Sequence, residues 1–461
     1  MNITVNPAVV PELDPAFVPA VLWNRAYRKA AADSGKAVDI VIALYRPNGT
    51  VSTYETVILP ISADTMDLTV RYVERLVKFL LWMKGGWKVG IYGAPEVAEA
   101  LAKIYSKDGE RKFDYEMMGD RIYGRTFEVV ALAEKPESHE IQVQLGGHMD
   151  GCRIGFDLGG SDRKCAAVVD GKVVHTEEVV WDPYFQKDPE YHRQGILDSL
   201  RRAAEKMPRV DAIGGSAAGV YVDNQPRLAS LFRGVSAEDF QKHVVHMFEE
   251  IQKVYNVPMV VSNDGEVTAL AGAMSMESNG VIGISMGTSV AGGYVNMNGN
   301  ITDWLNELAF VPVDYRDNAP ADEWSGDLGC GVQYFCQQGV ARLAKAAGLG
   351  FPADMPFPKQ LVEVQELMKQ GDARAAAIYR TIGVCFGYTV AHFADFYELQ
   401  NLLFLGRVSS GEGGEIIMEE AKKVIAKEFP EYAHIQFRVP DEKFKRHGQA
   451  VVAASLPALA K

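Results

Sequence analysis

The chain has 461 residues, of which 48% are hydrophobic and 23% charged, and its formal net charge is −13 at pH 7. This length exceeds what one hydrophobic core usually fills, so two or three domains are expected. The acidic balance argues against a nucleic-acid partner, although glycine-loop amides and a metal ion can still bind an anionic ligand. The five cysteines form no C-x-x-C pair, and no apolar run approaches a membrane span. A cytoplasmic protein without a membrane partner is expected.

Residues 1–149 are predicted to form an α/β region. The predicted strands are 38–44, 51–59, 87–92, 126–133 and 141–145, with helices at 64–83 and from Pro95. A Pro47-Asn48-Gly49 turn joins the first two strands, and Gly85-Gly86 ends the first helix. This region contains no catalytic motif, so three roles stay open: a substrate lid, an oligomerisation element or a degenerate copy of the later fold.

After Gly151 the pattern becomes regular, and strand, hairpin and helix recur in the same order in two halves. In the first half the predicted strands are 153–157, 164–169, 172–180, 212–215 and 259–261, with helices at 194–206 and 237–255. In the second half a hairpin over 281–297 is followed by helices from Val332 and by a strand at 401–405.

A first motif, Asp157-Leu158-Gly159-Gly160-Ser161, stands where a predicted strand turns back into a hairpin. Glycines let the main chain approach a phosphate closely, so that the amides of such a turn can bind it. An aspartate just before the turn is suited to hold Mg²⁺ through water. A plain β-turn with an acidic neighbour explains the same residues equally well.

A second motif, Ser262-Asn263-Asp264-Gly265-Glu266, lies between an apolar strand and a predicted helix over 266–276. Kinases that phosphorylate a hydroxyl need a carboxylate to accept its proton. A helix N-terminus favours the ionised carboxylate, which suits a base. Asn and Asp are also favoured as helix N-caps in any protein, and in isolation the cap is the simpler explanation.

Two further glycine segments follow. They are Gly287-Thr288-Ser289-Val290-Ala291-Gly292-Gly293 in the second hairpin and Gly406-Arg407-Val408-Ser409-Ser410-Gly411 after the late apolar strand. Each alone is a tight turn. The order of all four segments, however, resembles that of actin/hexokinase-type ATPases. The resemblance implies two hairpins that grip the phosphates across a cleft, with the late glycine segment beside adenosine.

The resemblance narrows to the ROK family of sugar kinases and repressors. The family's D-x-G-G-T loop is similar to Asp157–Ser161, and its G-x-x-x-P-G segment to Gly215–Gly219, with Ala218 in place of Pro. Its N-D-x-N site is matched by Asn263 and Asp264, while Glu266 replaces the second Asn. Its glycine hairpin matches Gly287-Thr288 and Gly292-Gly293.

The chain departs from the family around its sugar and zinc segments. Residues 306–310 align with the G-E-x-G-H segment, keeping the sugar-binding Glu as Glu307 but replacing the His with Phe310. Of the zinc segment only Cys330 remains, and the last sugar-binding Glu aligns near Val332. Because structural zinc needs four ligands, the family's zinc is predicted to be absent. A pocket that loses hydrogen-bonding partners prefers another acceptor, so glucose cannot be assumed.

The resemblance therefore implies a duplicated ribonuclease H-like, two-lobed ATPase fold with lobes at 150–278 and 279–461, whose last helix packs back on the first lobe. The implied reaction is phosphoryl transfer from ATP to a sugar hydroxyl, with Mg²⁺ held through water by Asp157 and Asp264 as the base. Acceptor contacts are expected from Gly219, Asn263, Asp264 and Glu307. Nucleotide contacts are expected from Asp157, Gly159, Gly160, Ser161, Gly287, Thr288, Gly406 and Gly411.

A non-catalytic protein stays open as the alternative: the same cleft would serve as a sugar or nucleotide sensor, or as a scaffold. The degraded sugar and zinc segments favour it, whereas the retained Asn263-Asp264 pair and both phosphate hairpins speak against it. The chain has no basic helix-turn-helix segment, which argues against a repressor. Dimers are common among similar proteins, and by that analogy a homodimer is expected.

Overall fold

Fifteen strands form four sheets among the described residues of this computed structural model, which are 3–140, 145–439 and 442–459, with backbone alone over 442–447. The strands are β1 Val38–Tyr45, β2 Val51–Ile58, β3 Lys88–Tyr92, β4 Glu128–Leu132, β5 Cys152–Leu158, β6 Asp162–Val169, β7 Lys172–Val180, β8 Ala212–Ala217, β9 Val220–Val222, β10 Gln225–Leu228, β11 Met259–Asn263, β12 Val281–Met286, β13 Val290–Val295, β14 Asn401–Leu405 and β15 Gln436–Arg438. The predicted strand at 141–145 lies, except for Leu145, outside the described residues.

The helices connect and cover these sheets. They are α1 Ala20–Asp33, α2 Met66–Lys84, α3 Pro95–Ile104, α4 Lys112–Glu116, α5 Pro189–Ala204, α6 Ala237–Asp239, α7 Met247–Tyr255, α8 Asp264–Met276, α9 Val332–Phe335, α10 Gln337–Ala346, α11 Phe357–Lys369, α12 Ala373–Ala394, α13 Glu412–Glu428 and α14 Glu442–Ala453. Within the described part of the chain, no helix combines the length and the apolarity that crossing a bilayer requires.

The N-terminal region contains a four-stranded sheet in the order β2-β1-β3-β4. Helix α2 is buried on all sides from Tyr72 to Met83, and Gly85, with φ of 81°, ends it. A helix that is buried all round must lie between other elements. One hydrophobic core accordingly runs from α1, β1 and α2 into β12, β14 and α12 of the last third of the chain.

The central sheet has five strands in the order β11-β8-β5-β6-β7. Strands β5, β6 and β7 pair antiparallel, whereas β8 and β11 run parallel to β5. All seven residues of β5 are buried, as expected for a strand covered on both faces. Asp170 and Gly171 both have positive φ, which suits the tight turn predicted between β6 and β7.

The fourth sheet repeats this arrangement in the order β13-β12-β14-β15. Its first strand, β12, again pairs antiparallel with the second strand of a hairpin and parallel with later strands. The repetition of a hairpin followed by parallel strands confirms the duplicated fold class predicted from the sequence. In both sheets the hairpin turn and the ends of the parallel strands lie at the same edge.

The last helix, α14, packs on the central sheet rather than on the sheet that precedes it. Its Ala450 and Ala453 carbonyls lie where side chains on Gly155 of β5 and Gly214 of β8 would stand. Glycine at these two positions therefore permits the close approach of helix and sheet. The helix is interrupted at Gly448, where φ is 57°.

Several elements were not predicted from the sequence. Helix α1 is absent from the prediction because its buried residues, such as Trp23 and Tyr27, are interspersed with basic ones that obscure the apolar stripe. The β9–β10 hairpin was missed too, although Asp223-Asn224 with positive φ marks its turn. The helix predicted over 237–255 divides into α6, a π-helical turn at Phe240–Val244 and α7.

Replacing Gly214 by Ala should destabilise the protein by about 1–3 kcal/mol, because the added methyl group overlaps the Ala453 carbonyl and displaces α14. Urea denaturation of the variant and of wild type measures the change. Gly350→Ala is the matched control, since no atom lies within 4 Å of its added Cβ. Equal midpoints for Gly214→Ala and Gly350→Ala would show that α14 does not pack on the central sheet as described.

Candidate active site

Asp157 lies at the buried end of β5 and is 7% exposed. The Ser216 hydroxyl donates a hydrogen bond of 2.8 Å to its Oδ1. Burial raises the pKa of Asp157 to about 6, and the charge of Asp264 adds to the rise, while the Ser216 hydrogen bond opposes it. The carboxyl that the sequence singles out for Mg²⁺ thus stands in a desolvated place close to the carboxyl singled out as the base.

Gln449 is a partner of Asp157 that sequence reasoning missed. It follows the interruption of α14, and its amide lies between Asp157 and Thr268 of α8. A carboxylate offers only acceptors, so the amide nitrogen faces Asp157. In this orientation it donates to the two carboxylate oxygens over 2.9 and 3.2 Å, and its carbonyl accepts from Thr268 Oγ1 over 2.5 Å. No local motif marks Gln449, because both of its partners are far away in sequence.

Asn263 and Asp264 stand where β11 ends and α8 begins. Asn263 is the N-cap: its Oδ1 accepts from the Gly265 amide over 2.7 Å, and its Nδ2 donates to the Gly219 carbonyl over 2.6 Å. The capping explanation is therefore correct for Asn263, and the same side chain brings Gly219 to the site. Asp264 is half-buried as a residue, and its carboxylate accepts from the Gly265 amide over 3.0 Å.

Four carboxyl groups surround this point of the fold. Burial raises the pKa of Asp264, although backbone hydrogen bonds lower it in part. Burial also raises the pKa of Glu307 to about 7, with a further rise from the charge of Asp264. Burial raises the pKa of Glu266 to about 8, against hydrogen bonds from Asn306 and the Tyr294 amide. The charge of Asp264 thus acts on Asp157 and Glu307, and that of Glu307 acts on Glu266, so that the four poorly solvated carboxyl groups are linked as neighbours.

The first glycine turn keeps its backbone close to two aromatic side chains. The Trp181 indole donates to the Gly159 carbonyl over 2.8 Å, and the Tyr184 hydroxyl occupies the place of a Cβ on Gly160. Ser161 is exposed, and its hydroxyl donates to Asp162 over 2.9 Å. Part of the need for glycine here thus comes from packing, and the exposed face of the turn is free to approach a ligand.

The second and third glycine segments lie side by side. Gly406, with φ of 107°, rests against Met286 at the end of β12, directly before Gly287. The Gly287 carbonyl accepts from the Gln337 amide at the start of α10 over 3.0 Å, and Thr288 is exposed. Gly411 precedes α13 with φ of 67°. The structure therefore places Gly406 beside Gly287. The turn at Gly159 instead has Trp181 and Tyr184 as its neighbours.

Other side chains occupy the surroundings of Phe310 and Cys330, which align with the family's zinc segment and where zinc is predicted to be absent. Phe310 packs on Trp82 with ring centroids 4.3 Å apart. The buried Cys330 thiol lies beside Asp327, which forms ion pairs with Arg75, Lys78 and Arg111. Among the described residues, no group of three or more His, Cys, Asp or Glu side chains is arranged to hold a metal ion.

A cavity of about 430 Å³ opens beside Asn263 and Glu266. The other lining residues come from the β1–β2 turn with Tyr123, the β9–β10 hairpin with its flanks, residues 260–262 of β11, residues 302–305, and Leu145. Pockets that hold small ligands have similar sizes. The acceptor-side residues Gly219 and Asn263 thus border an open space, and the N-terminal region contributes part of its wall.

Each lobe contains a hairpin followed by parallel strands, and its glycine turn lies where the parallel strands end. This duplicated arrangement, with carboxyl groups beside the turns, defines an actin/hexokinase-type protein. A sequence profile described as the ROK family matches residues 153–456. The chain therefore belongs to the ROK family, and the predicted fold is confirmed. No curated protein matches the chain in sequence.

Solved ROK structures are similar to this chain in fold. A ROK hexokinase from Thermus thermophilus has 17% identity and a TM-score of 0.53, and the match covers 66% of this chain and 97% of that one. A ROK transcriptional regulator homologous to the E. coli MLC protein has 15% identity and a TM-score of 0.51, covering 67% and 79%. A Streptomyces griseus ROK glucokinase crystallised with glucose and AMPPNP has 22% identity, a TM-score of 0.46 and coverage of 67% and 99%. Because the neighbours with TM-scores above 0.5 include a hexokinase and a regulator, fold alone does not decide the activity.

Glu266 gives the site a testable effect of pH on stability. Since burial raises its pKa from 4.5 to about 8, the folded protein keeps a proton between these pH values that the unfolded chain has released. The bound proton adds up to about 5 kcal/mol to the free energy of unfolding at low pH. This contribution decreases as the pH rises above 4.5 and is lost as the pH passes about 8. As the pH rises from 5 to about 8.5, the melting temperature of Glu266→Gln should therefore increase relative to that of wild type.

Scanning calorimetry across this pH range measures the difference in melting temperature. Glu99→Gln, an exposed change on α3, is the control and should follow wild type at every pH. A constant difference between Glu266→Gln and wild type would contradict the raised pKa of Glu266.

Proposed function

We propose that the protein transfers the γ-phosphoryl group of ATP to a hydroxyl of a sugar or sugar derivative. The observation that carries the proposal is the convergence of Asp157, Asp264 and Glu307. Asp157 is in register with Ser216 of β8, whose neighbour β11 ends directly before Asp264. Asn306, next to Glu307, donates to Glu266 of α8. Each of the three converging carboxyl groups comes from a segment that the ROK resemblance assigns to a different task. Structural carboxyls without such a task are normally paired with cations, because gathering like charges in a desolvated place costs free energy.

In this proposal Asp264 accepts the proton of the attacking hydroxyl and orients its oxygen. The start of α8 offers backbone amides that favour an ionised carboxylate, while burial raises the pKa of Asp264 toward the range useful for a base. Glu307 is the second acceptor contact, together with the backbone at Gly219. Asn263 acts mainly by holding α8 and Gly219 together, because its side chain is engaged on both sides.

Mg²⁺ fits the residues present near Asp157. This ion keeps most of its waters in proteins and takes one or two carboxylates together with substrate phosphates. Asp157 is oriented by Ser216 and Gln449, and it would hold the ion through water. When bound, the ion would neutralise phosphate charge and relieve the repulsion between Asp157 and Asp264.

The nucleotide would lie between the glycine turns. Amides of residues 159–161 and 287–288 would bind its phosphates, and Gly406 and Gly411 would flank the adenosine. Phosphoryl transfer needs little from the protein beyond positioning and charge stabilisation, which these groups supply. Closure of lobes 150–278 and 279–461 would exclude water and limit hydrolysis of ATP.

A non-catalytic sensor is the second candidate function. The likeness to a ROK transcriptional regulator favours it, with a TM-score of 0.51 against 0.53 for the hexokinase. In a sensor the cluster would bind a sugar without transferring phosphate. Nucleotide titration combined with a phosphotransfer screen over many sugars separates the two, because a sensor binds its ligand without turnover.

Asp264→Asn should lower turnover by about 10² or more, because the amide cannot accept the proton of the acceptor hydroxyl. Affinity for the ATP analogue AMPPNP should stay within about threefold, since the variant keeps the shape of the site and loses no proposed nucleotide contact. Steady-state kinetics and calorimetric titration check the two expectations. Asp108→Asn, at an exposed N-terminal position, is the control. Full turnover by Asp264→Asn would remove Asp264 from the role of base.

Gln449→Leu should raise the Mg²⁺ and ATP concentrations needed for half-saturation roughly tenfold, because Asp157 loses an amide donor. The half-saturating acceptor concentration should hardly change. Kinetics at varied Mg²⁺, ATP and acceptor measure the three effects separately. Ser455→Ala, in the turn directly after α14, is the control, because it removes the hydroxyl contacts with Gly147 and Val452 without touching Asp157. If both variants behave alike, Gln449 acts only through helix packing.

A further inference from the structure

The segment that carries Glu307 is held by the N-terminal region. The Asn306 amide donates to the Met83 carbonyl over 2.9 Å, and the Glu307 amide donates to the Trp82 carbonyl over 3.0 Å. These two acceptors belong to the last turn of α2, whose carbonyls lack partners within the helix. The backbone position of Glu307 is therefore set by the end of α2.

The turn between β1 and β2 holds the beginning of the same segment. The Arg46 side chain is 2% exposed, and its Nε lies 3.2 Å from Asp303 Oδ2. A second nitrogen of its guanidinium lies 2.7 Å from Glu140. Asn48, at the exposed tip of the turn, donates to Asp303 Oδ2 over 3.2 Å. Two residues of the N-terminal region thus fix the carboxylate of Asp303.

Aromatic contacts join the two parts between these polar links. The Lys84 ammonium lies 4.2 Å from the centroid of the Trp304 ring, and the Trp304 indole donates to Glu140 over 3.4 Å. Phe310 packs on Trp82 at the other end of the segment. Residues 303–310 are therefore attached to the N-terminal region at their beginning, middle and end.

On their opposite side, residues 303–310 contact α8, the helix that begins with Asp264. Asn306 Nδ2 donates to Glu266 over 2.5 Å, and the Tyr397 hydroxyl donates to Asn306 Oδ1 over 2.7 Å. All three side chains are buried or nearly so. Asn306 has φ of 49°, a backbone conformation that these contacts on both sides stabilise. Glu307 is thereby placed between α2 and α8.

The charges around the cavity limit what can enter it. Among its described lining residues Arg46 is the one basic side chain, and its guanidinium is engaged by Asp303, Glu140 and Ser52. Asp223, Asp303 and Glu266 also line it. An anionic acceptor would lose water beside carboxyl groups without gaining a free cation, which is unfavourable.

We infer that the N-terminal region is part of the acceptor site, where the β1–β2 turn and the end of α2 position residues 303–310 and select an uncharged polyhydroxy acceptor over a sugar acid or sugar phosphate. The inference rests on the proposed function for the identity of the acceptor site. Residues before 153 lie outside the ROK match, so the part of the cavity wall that the N-terminal region supplies is an addition to the matched part of the chain. Asn48, Arg46 and Lys84 are positioning residues in this account.

Asn48→Ala and Arg46→Lys test the positioning role. Asn48→Ala removes the bond to Asp303 from an exposed turn, and Arg46→Lys keeps the charge but loses the forked geometry of the guanidinium. Both should weaken acceptor binding roughly tenfold while AMPPNP binds as in wild type. Lys135→Gln, which breaks an exposed ion pair with Glu55 elsewhere in the N-terminal region, should change neither affinity. Unchanged acceptor affinity in both test variants would overturn the positioning role.

The selectivity is tested by titrating wild-type protein, without ATP, with glucose, mannose, N-acetylglucosamine, glucuronic acid and glucose 6-phosphate. At least one uncharged sugar should bind, and it should bind more tightly than either anion. Preferred binding of an anion, or no binding by any of the five, would overturn the inference. This titration requires no turnover, so it tests the inference separately from the proposed function. A sugar that binds but is not phosphorylated when ATP is added would contradict the proposed function and not the selectivity.

Discussion

The central constraint on this protein is the confinement of Asp157, Asp264, Glu266 and Glu307 to one poorly solvated place. Burial raises the pKa of all four groups, and the charge of Asp264 raises the pKa of Asp157 and Glu307 further. The surrounding fold offsets this cost with directed hydrogen bonds from Ser216, Gln449 and Asn306. A divalent cation would offset part of the negative charge of these carboxylates, which supports the phosphoryl transfer that we propose.

Three separate parts of the chain converge on this place. The central sheet supplies Asp157 and the start of α8, and the last helix returns from the far end of the chain to contact both. The second lobe supplies residues 303–310, whose position depends on α2 and the β1–β2 turn. The N-terminal region shares one hydrophobic core with the second lobe. This shared core holds the N-terminal region in place where it contacts residues 303–310.

The sequence was most informative where a signal is local. Strand periodicity with glycine turns predicted the hairpins after β5 and β12, and Asn263-Asp264 was correctly placed at a strand-to-helix junction. Gln449 could not be predicted, because its role arises only when α14 packs across the glycines of β5 and β8. In the sequence Glu266 is a departure from a family motif, and its side chain accepts a hydrogen bond from Asn306 beside Glu307. The contact of α2 with Glu307 joins backbone groups, which leave no trace in side-chain patterns.

A crystal structure of the protein with Mg²⁺, AMPPNP and an uncharged sugar tests the central claim most directly. The account predicts phosphates bound between residues 159–161 and 287–288, with one acceptor hydroxyl within hydrogen-bonding distance of Asp264 and directed at the terminal phosphate. A nucleotide bound away from both glycine turns, or an acceptor beyond the reach of Asp264, would contradict it.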